Sequence, residues 1–530
     1  MRVIKKVGDF LNAAVEALFA VLMLFVLVAT VIVDKHTAFR APNTVAWPNI
    51  VYYLGAAALL FVIFCCCYAR AAGDKPALSG RAGPSEGQRF AFALLGIAAA
   101  VGVIQYFISR WMPYQALGTD FTNISEAAWA VHEGGSLKSF SYFQRSPNNV
   151  NMAIVFVWIY KIIPRRDVIV WLGALATNAS AALVSMTVYN VTRRRNLSLV
   201  VAVASELLLA LTWRSFLPYT DNYGMVFVAL VIWLYTTQLK PVFKIPLIVA
   251  CSAIGAFIKI TCVIPLLALG LALLIRWMRS DAHGVNLKRV AWCALCLALF
   301  FGGMFKLQEP IRARYGYVPG KYPKGWQYLL MVGQNTEGMG TVYSGNVEAR
   351  RAYIKEYEDL AQVNRAFIAN ALASIRERGL WGNVVFYVKK LNAAYNDGYF
   401  HNVQTARCRQ AERNLIYELY MKNGRFYQPG ATLMQVLWDA VLLTMMLWAA
   451  WGIAARLRRR GTQPGGIGAR DDAMASALLV VQIAILGTTL YILCLEGRSK
   501  YLFMLLPVYM VAFGLMLHEL CAALARKKSR

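Results

Sequence analysis

Runs of about 20 apolar residues without charge recur along the chain. Examples are Ala17–Val33, Phe90–Ile108, Val168–Tyr189 and Ala473–Cys494. At 1.5 Å of rise per residue such a run matches the ~30 Å hydrocarbon core of a bilayer. The pattern predicts twelve spans, at 14–33, 49–70, 90–109, 168–190, 197–217, 223–238, 244–258, 260–277, 288–306, 433–455, 473–494 and 500–522. A further apolar run, Asn151–Ile163, is too short to cross and is expected to lie at the external membrane surface as an interfacial helix. The expected fold class is all-α integral membrane, with about 12 transmembrane helices, interfacial helices in a first external loop, and a small, mainly helical second external loop domain.

The charges orient this pattern. Lys5-Lys6, Arg70 with Lys75 and Arg81, Arg193-Arg194-Arg195, and Lys240 with Lys244 form basic clusters. Arg276 with Arg279, Lys288-Arg289, Arg456 to Arg460, and Arg526-Lys527-Lys528 continue the series. They fall in every second loop, which by the positive-inside rule puts both termini in the cytoplasm. Counting Asn151–Ile163 as a span would turn Arg193–Arg195 outward. The organisation is then residues 1–109 (three spans), 110–167 (external loop), 168–306 (spans four to nine), 307–432 (external loop domain) and 433–530 (three spans). Within the second loop, Val347–Arg378 reads as amphipathic helix. The cytoplasmic loops Ala71–Arg89 and Gly461–Asp472 are rich in glycine and small or polar residues.

Of 530 residues, 58% are apolar, against about half in soluble chains. The formal net charge of +28 invites a nucleic-acid reading, but its confinement to short loops makes it topological. Anionic head groups of the lipid bilayer are its expected partners, and nucleic acid is not. The ten cysteines lie mostly inside apolar runs, so no disulfide framework is expected, and Cys293 with Cys296 reads as packing rather than metal ligation. The basic, apolar N-terminus lacks a cleavage site and reads as an uncleaved first span. His36, His132, His283, His401 and His518 are scattered without metal spacing, and no P-loop, GxSxG or dinucleotide fingerprint occurs. Two external acids could hold a divalent cation but form no ligand motif, so no metal and no cofactor is expected.

The polar segment Gly118–Asn149 holds the first candidate for chemistry, Asp120, just beyond a span. A carboxylate beside an anomeric carbon can take the proton of an acceptor hydroxyl. When the leaving group is already a phosphate no general acid is needed, unlike the paired carboxylates of hydrolases. The alternative is that Asp120 caps the helix that follows. Asp221, between Tyr219 and Tyr223, could bind sugar hydroxyls, position the acceptor, hold a divalent cation, or simply turn the chain. Lys259 is a lone cation between two apolar runs, fit to meet a phosphate or to snorkel at a helix end. Arg498 in the stretch Glu496-Gly497-Arg498-Ser499-Lys500-Tyr501 could grip a phosphate with Glu496 orienting it. Glu206, mid-span, raises a proton-coupled transport reading, without an Asp/Glu/His relay around it.

The order of these motifs resembles a known family. After Asp120 come Ala128 to Gly135 with its Gly-Gly, the aromatic Ser141-Tyr142-Phe143 and Ser146-Pro147-Asn148-Asn149. Pro218-Tyr219-Thr220-Asp221, Ile258-Lys259-Ile260-Thr261, Val332-Gly333-Gln334-Asn335 with Gly338 and Tyr343, Asp397-Gly398 and the Glu496–Tyr501 stretch follow. The chain is similar over most of its length to the C-type polytopic glycosyltransferases, especially bacterial relatives of protein O-mannosyltransferases and lipid A aminoarabinose transferases. Lys259-Ile260-Thr261 stands where that family carries Lys-Pro-Ser/Thr. The resemblance implies a polyprenyl-phosphate sugar donor, an external active site and inversion at the anomeric carbon. It implies Asp120 as base, with Tyr142, Asn149, Tyr219, Asp221, Lys259, Glu496 and Arg498 around the substrates. The expected activity is transfer of a sugar to a lipid, glycan or protein acceptor outside the cytoplasm, in cell-envelope or protein glycosylation. The alternative is a multi-pass transporter or flippase of a lipid-linked or amphiphilic solute, favoured by Glu206 and the number of spans. The lack of an internal repeat and the large external loop oppose it.

Overall fold

A computed structural model describes residues 2–33, 48–71, 84–111, 119–280, 287–400, 415–421, 423–458 and 469–528. Among the described residues every regular element is a helix. Lys75, Arg81, His36, His283, His401, Cys408 and most of the linkers 71–89 and 461–472 lie outside them, as do the side chains of Cys67, Arg70, Arg456 to Arg460 and Arg526-Lys527-Lys528.

The first three spans are α1 (Arg2–Leu27, continued by a π turn over Val28–Ile32), α2 (Asn49–Ala71) and α3 (Pro84–Trp111). The first large loop folds as α4 (Thr119–His132), α5 (Ser141–Arg145) and α6 (Val150–Ile162). The middle bundle follows with α7 (Val168–Thr192), α8 (Arg195–Ser205), α9 (Thr220–Thr236), α10 (Pro241–Ile258), α11 (Ile264–Arg279), α12 (Leu287–Leu297) and α13 (Gly303–Arg314). The second loop contains α14 (Trp326–Gln334), α15 (Ser344–Glu356), α16 (Leu360–Tyr395) and α17 (Leu415–Tyr420). The chain closes with α18 (Tyr427–Arg458), α19 (Ala469–Cys494), α20 (Lys500–Phe503) and α21 (Leu506–Lys528).

Ten of these helical stretches are long and apolar enough to cross a membrane, so the protein is a multi-pass membrane protein, but two of the twelve expected spans fall short. At 197–217 the helix loses its α pitch after Ser205, passes through a π turn at Glu206–Ala210 and ends in a 3₁₀ turn at Trp213–Phe216. Its regular part, the 11 residues Arg195–Ser205, reaches roughly 16 Å, less than a ~30 Å core. The expected span 223–238 is α9, of 17 residues. Both lie inside the bundle rather than at its rim, where protein walls tolerate interrupted helices. In the other direction, α12, a π turn and α13 carry the ninth span to Arg314, well past the expected end at 306.

Burial sorts the helices. From Leu506 to Leu517, α21 is almost entirely buried, with α18, α19, α7 and α8 around it. On α1, α2, α3 and α12, by contrast, Leu18, Phe61, Phe92 and Leu295 stand exposed, as expected of side chains that face lipid. The run Val150–Ile162 forms the expected short helix, α6, and its uniform apolarity has a cause in the fold: Val150, Met152, Ala153, Ile154, Phe156, Val157 and Tyr160 are all buried, largely against α4 and α7. Trp158, Lys161 and Ile162 form its outer face.

Candidate active site

Asp120 occupies the first turn of α4, where a negative charge meets the positive end of the helix dipole. The Gly-Gly of the motif ends this helix: Gly134 takes φ +97°, a conformation costly for any side chain, and Gly135 N–H donates to the Ala130 carbonyl at 2.8 Å. The reversal returns α5 over α4, so that the Tyr142 hydroxyl donates to Asp120 Oδ1 at 3.1 Å. Asn149 Nδ2 in turn donates to the Tyr142 oxygen at 2.5 Å. Burial, then the neighbouring Asp120 charge, raises the Tyr142 phenol far above its ordinary value, which keeps it a donor. The turn that carries Asn149 is pinned from the other side. Arg312 Nε donates to Asn151 Oδ1 at 2.8 Å, and Asn151 Nδ2 to the Phe257 carbonyl at 2.7 Å, two residues before Lys259.

A second acid knot forms where the fifth expected span breaks. Asp221, 1% exposed, receives Arg214 Nη2 on Oδ2 at 2.5 Å and Lys259 Nζ on Oδ1. The break itself is knitted by Asn222, whose amide donates to the carbonyls of Arg214, Ser215 and Leu217 at 3.0, 2.7 and 2.7 Å. With both oxygens engaged by cations, Asp221 does not fit a divalent metal site, and among the described residues no group of three His, Cys, Asp or Glu side chains fits one either.

The third knot is the connection between α19 and α21. Tyr501 donates to Glu496 Oε2, while Arg498 and Lys500 lie 3.7 and 3.6 Å from Oε1. Burial would raise the Glu496 carboxyl, but Lys500, Arg498 and the Tyr501 hydrogen bond together hold it below the ordinary range. The second large loop grips this connection. Lys390, fully buried on α16, donates to the carbonyls of Gly333, Leu493 and Leu495 at 2.5, 3.0 and 2.7 Å. Burial pushes its ammonium down to about 7. Gln334 Nε2 donates to Leu493 and Cys494, Gly497 N–H to Gly340, and Arg498 Nη2 to Val342. A Cβ on Gly333 would stand 2.3 Å from the Leu495 oxygen, so the approach of the two backbones requires glycine there. The Ser499 hydroxyl donates to Asp397 Oδ2 at 2.7 Å, adding the end of α16 to the clamp.

The three knots adjoin. Lys259 Nζ stands 5.9 Å from the Tyr219 ring centroid and 5.4 Å from that of Tyr501. Tyr219 lies edge-on to Phe121 at 5.0 Å. Its phenol is raised by burial and then by Asp120, Tyr142 and Asp221, with Asn149 opposing. Lys500 is lowered by burial and raised by Glu496, and it feels both Asp120 and Arg214. Every residue the motifs singled out for the site, Asp120, Tyr142, Asn149, Tyr219, Asp221, Lys259, Glu496 and Arg498, therefore belongs to one connected region. Glu206 does not. It is 2% exposed in the π turn, and neither carboxyl oxygen has a hydrogen-bond partner among the described residues.

Arg214 and Lys390 escaped the sequence reading. An arginine inside a stretch counted as a span carries its own signal, since a charge at such depth needs a partner. Lys390 gives none, because it is one basic residue among many in an amphipathic helix.

The comparisons with known proteins follow the geometry only part of the way. No curated protein matches the sequence. Among solved structures, the chain is similar to the crystal structure of ArnT from Cupriavidus metallidurans bound to undecaprenyl phosphate, at 12% identity, over 81% of this chain and 77% of that one, with a TM-score of 0.31. At that level the likeness supports no correspondence between residues. Residues 7–520 match the conserved hypothetical integral membrane protein family, and the chain belongs to that family.

Proposed function

We propose that this protein is a membrane glycosyltransferase that moves a sugar from a polyprenyl-phosphate donor to an acceptor outside the cytoplasm, with inversion. The observation that carries the reading is the pairing of a half-buried carboxylate, Asp120, held by Tyr142, with two cationic knots beside it. In each knot two cations meet one carboxylate: Arg214 and Lys259 with Asp221, Lys500 and Arg498 with Glu496. Each retains one positive charge for a lipid-borne phosphate.

The step balances simply. The acceptor oxygen forms a bond to the anomeric carbon while the bond from that carbon to the phosphate oxygen breaks. Asp120 takes the acceptor proton, and the polyprenyl phosphate leaves with the electron pair. General-base assistance of this kind contributes roughly 10²–10⁴ in rate. Lys259 and Lys500 offset the charge that builds on the phosphate, which is worth most in a site closed to water. Asp221 is a positioning residue: buried under two cations, it aims Lys259 rather than touching sugar. Lys390 has the same standing for the Glu496–Tyr501 connection.

Transfer of label from radiolabelled polyprenyl-phosphate sugars in membranes, wild type beside Asp120→Asn, tests the reading. Loss of label from the carrier with wild type alone supports it. Full turnover by a well-folded Asp120→Asn removes Asp120 as base, and no turnover of any lipid-phosphate sugar by wild type removes the transferase.

A further inference from the structure

Beside the site stands a third set of cations, and among the described residues no acid is paired with it. Arg145 ends α5, Lys324 precedes α14, and Arg350 lies on α15. The fold ties them together. Lys324 N–H donates to the Arg145 carbonyl at 3.0 Å. Lys324 Nζ and the Arg350 guanidinium carbon stand 5.7 and 5.9 Å from the centroid of one ring, that of Tyr328. Arg350 Nη2 donates to the Tyr322 carbonyl at 2.6 Å, which fixes the guanidinium against the segment that carries Lys324.

None of the three side chains has a carboxylate partner among the described residues, whereas Arg214, Lys259, Arg498 and Lys500 all do. Like charges gathered without a counter-charge repel one another, and an anion between them relieves the repulsion through charge-assisted hydrogen bonds. The group also senses the site. The Lys324 ammonium is lowered by burial, Arg350 and Arg145 and raised by Asp120 and Glu496, carboxylates near enough to be felt but not in contact, while Arg350 is lowered by burial and by Arg145 against the opposing Tyr328.

We propose that Arg145, Lys324 and Arg350 seat an anionic group, a phosphate monoester by charge and size, carried by the acceptor. The proposal rests on the transferase reading and narrows its acceptor to an anionic molecule. The donor does not fit this seat. Its phosphate is tethered to an isoprenoid chain and so stays where spanning helices end, at Lys259 between α10 and α11 and at Lys500 before α21. The three unpaired cations come instead from segments that belong to no spanning helix. Such a phosphate can be a lipid head group or part of a water-soluble acceptor.

The test uses the full chain in phosphatidylcholine nanodiscs and three probes: phosphatidic acid within the disc, glycerol phosphate in solution, and a polyprenyl phosphate. Lys324→Met/Arg350→Met is compared with wild type and with the charge-keeping Lys324→Arg/Arg350→Lys. The expected result is at least ~10-fold weaker binding of phosphatidic acid or glycerol phosphate by the Met pair, with polyprenyl phosphate affinity held within ~2-fold. The charge-keeping pair retains binding, which separates lost charge from lost fold. An effect on phosphatidic acid identifies a lipid-borne acceptor, and an effect on glycerol phosphate a soluble one. Equal binding by wild type and the Met pair overturns the proposal, as does parallel loss of polyprenyl phosphate. Failure of sugar transfer with the phosphate binding intact would count against the transferase alone and leave the anion seat standing.

Discussion

Asp120 and Asp221 are both aspartates at the first turn of a helix, and their surroundings differ in almost every respect. Asp120 is half-buried and accepts one hydrogen bond, from a neutral phenol. Asp221 is 1% exposed and each of its oxygens faces a cation. A base must be free to gain a proton, and only the first environment allows it. The second is an anchor whose ionisation is locked by Arg214 and Lys259. Chain position and residue type are alike, so the division of labour comes entirely from what the fold brings to each carboxylate.

The sharpest way to break this contrast is substitution of both acids. Asp120→Asn, nearly isosteric, is expected to lower transfer by roughly 10²–10⁴ with the melting temperature unchanged, measured by label transfer beside thermal unfolding in detergent. Asp221→Asn is expected to act on the fold, because the buried Arg214 and the half-buried Lys259 lose their counter-charge. A loss of ~3–5 kcal/mol is expected, visible as a lowered melting temperature and poor recovery from membranes. Unchanged stability in Asp221→Asn would erase the distinction.

Smaller changes sharpen it. Tyr142→Phe removes the hydrogen bond to Asp120 and leaves the ring, so it costs about 0.5–1.5 kcal/mol, up to about tenfold in kcat, with the donor KM unmoved. An equal rise in KM would make Tyr142 a binding group instead. The smallest effect is expected with pH at Glu496. Its folded carboxyl titrates below the ordinary 4.5, so its contribution is present above that value and is lost as pH falls through the depressed folded value. Hydrogen-exchange protection in the 493–503 connection, taken relative to the intrinsic rate at each pH, should therefore be steady at neutral pH and fall in acid below ~4.5, with Glu496→Gln abolishing the dependence.

Much of this fold was legible as pattern. Apolar runs marked the ten spanning helices, though not the early start of the first at Val3 or the late end of the ninth at Arg314, because the bilayer demands a length and a polarity that few other environments impose. At 197–217 and 223–238 the helices are shorter and sit among other helices, so the chain is apolar there largely because protein surrounds it. Burial, rather than lipid, also explains the uniform apolarity of Val150–Ile162. For the site, short motifs in a characteristic order pointed to Asp120, Tyr142, Asn149, Tyr219, Asp221, Lys259, Glu496 and Arg498, and the fold gathers them. What each does was not legible there. Arg214 stands seven positions before Asp221, yet nothing in a linear reading says that its guanidinium turns back to it.

By itself, then, the sequence determined that the chain is helical, crosses the membrane many times and concentrates acids and aromatic residues in a few polar segments. Those are properties of local composition and spacing, which each stretch of chain carries alone. Only the tertiary structure decided which acid is free and which is locked, and how Lys390 clamps two distant loops. It also decided that Arg145, Lys324 and Arg350 stand together with no carboxylate in contact among the described residues. Electrostatic roles depend on neighbours a few ångströms away, and those neighbours lie up to hundreds of residues apart along the chain.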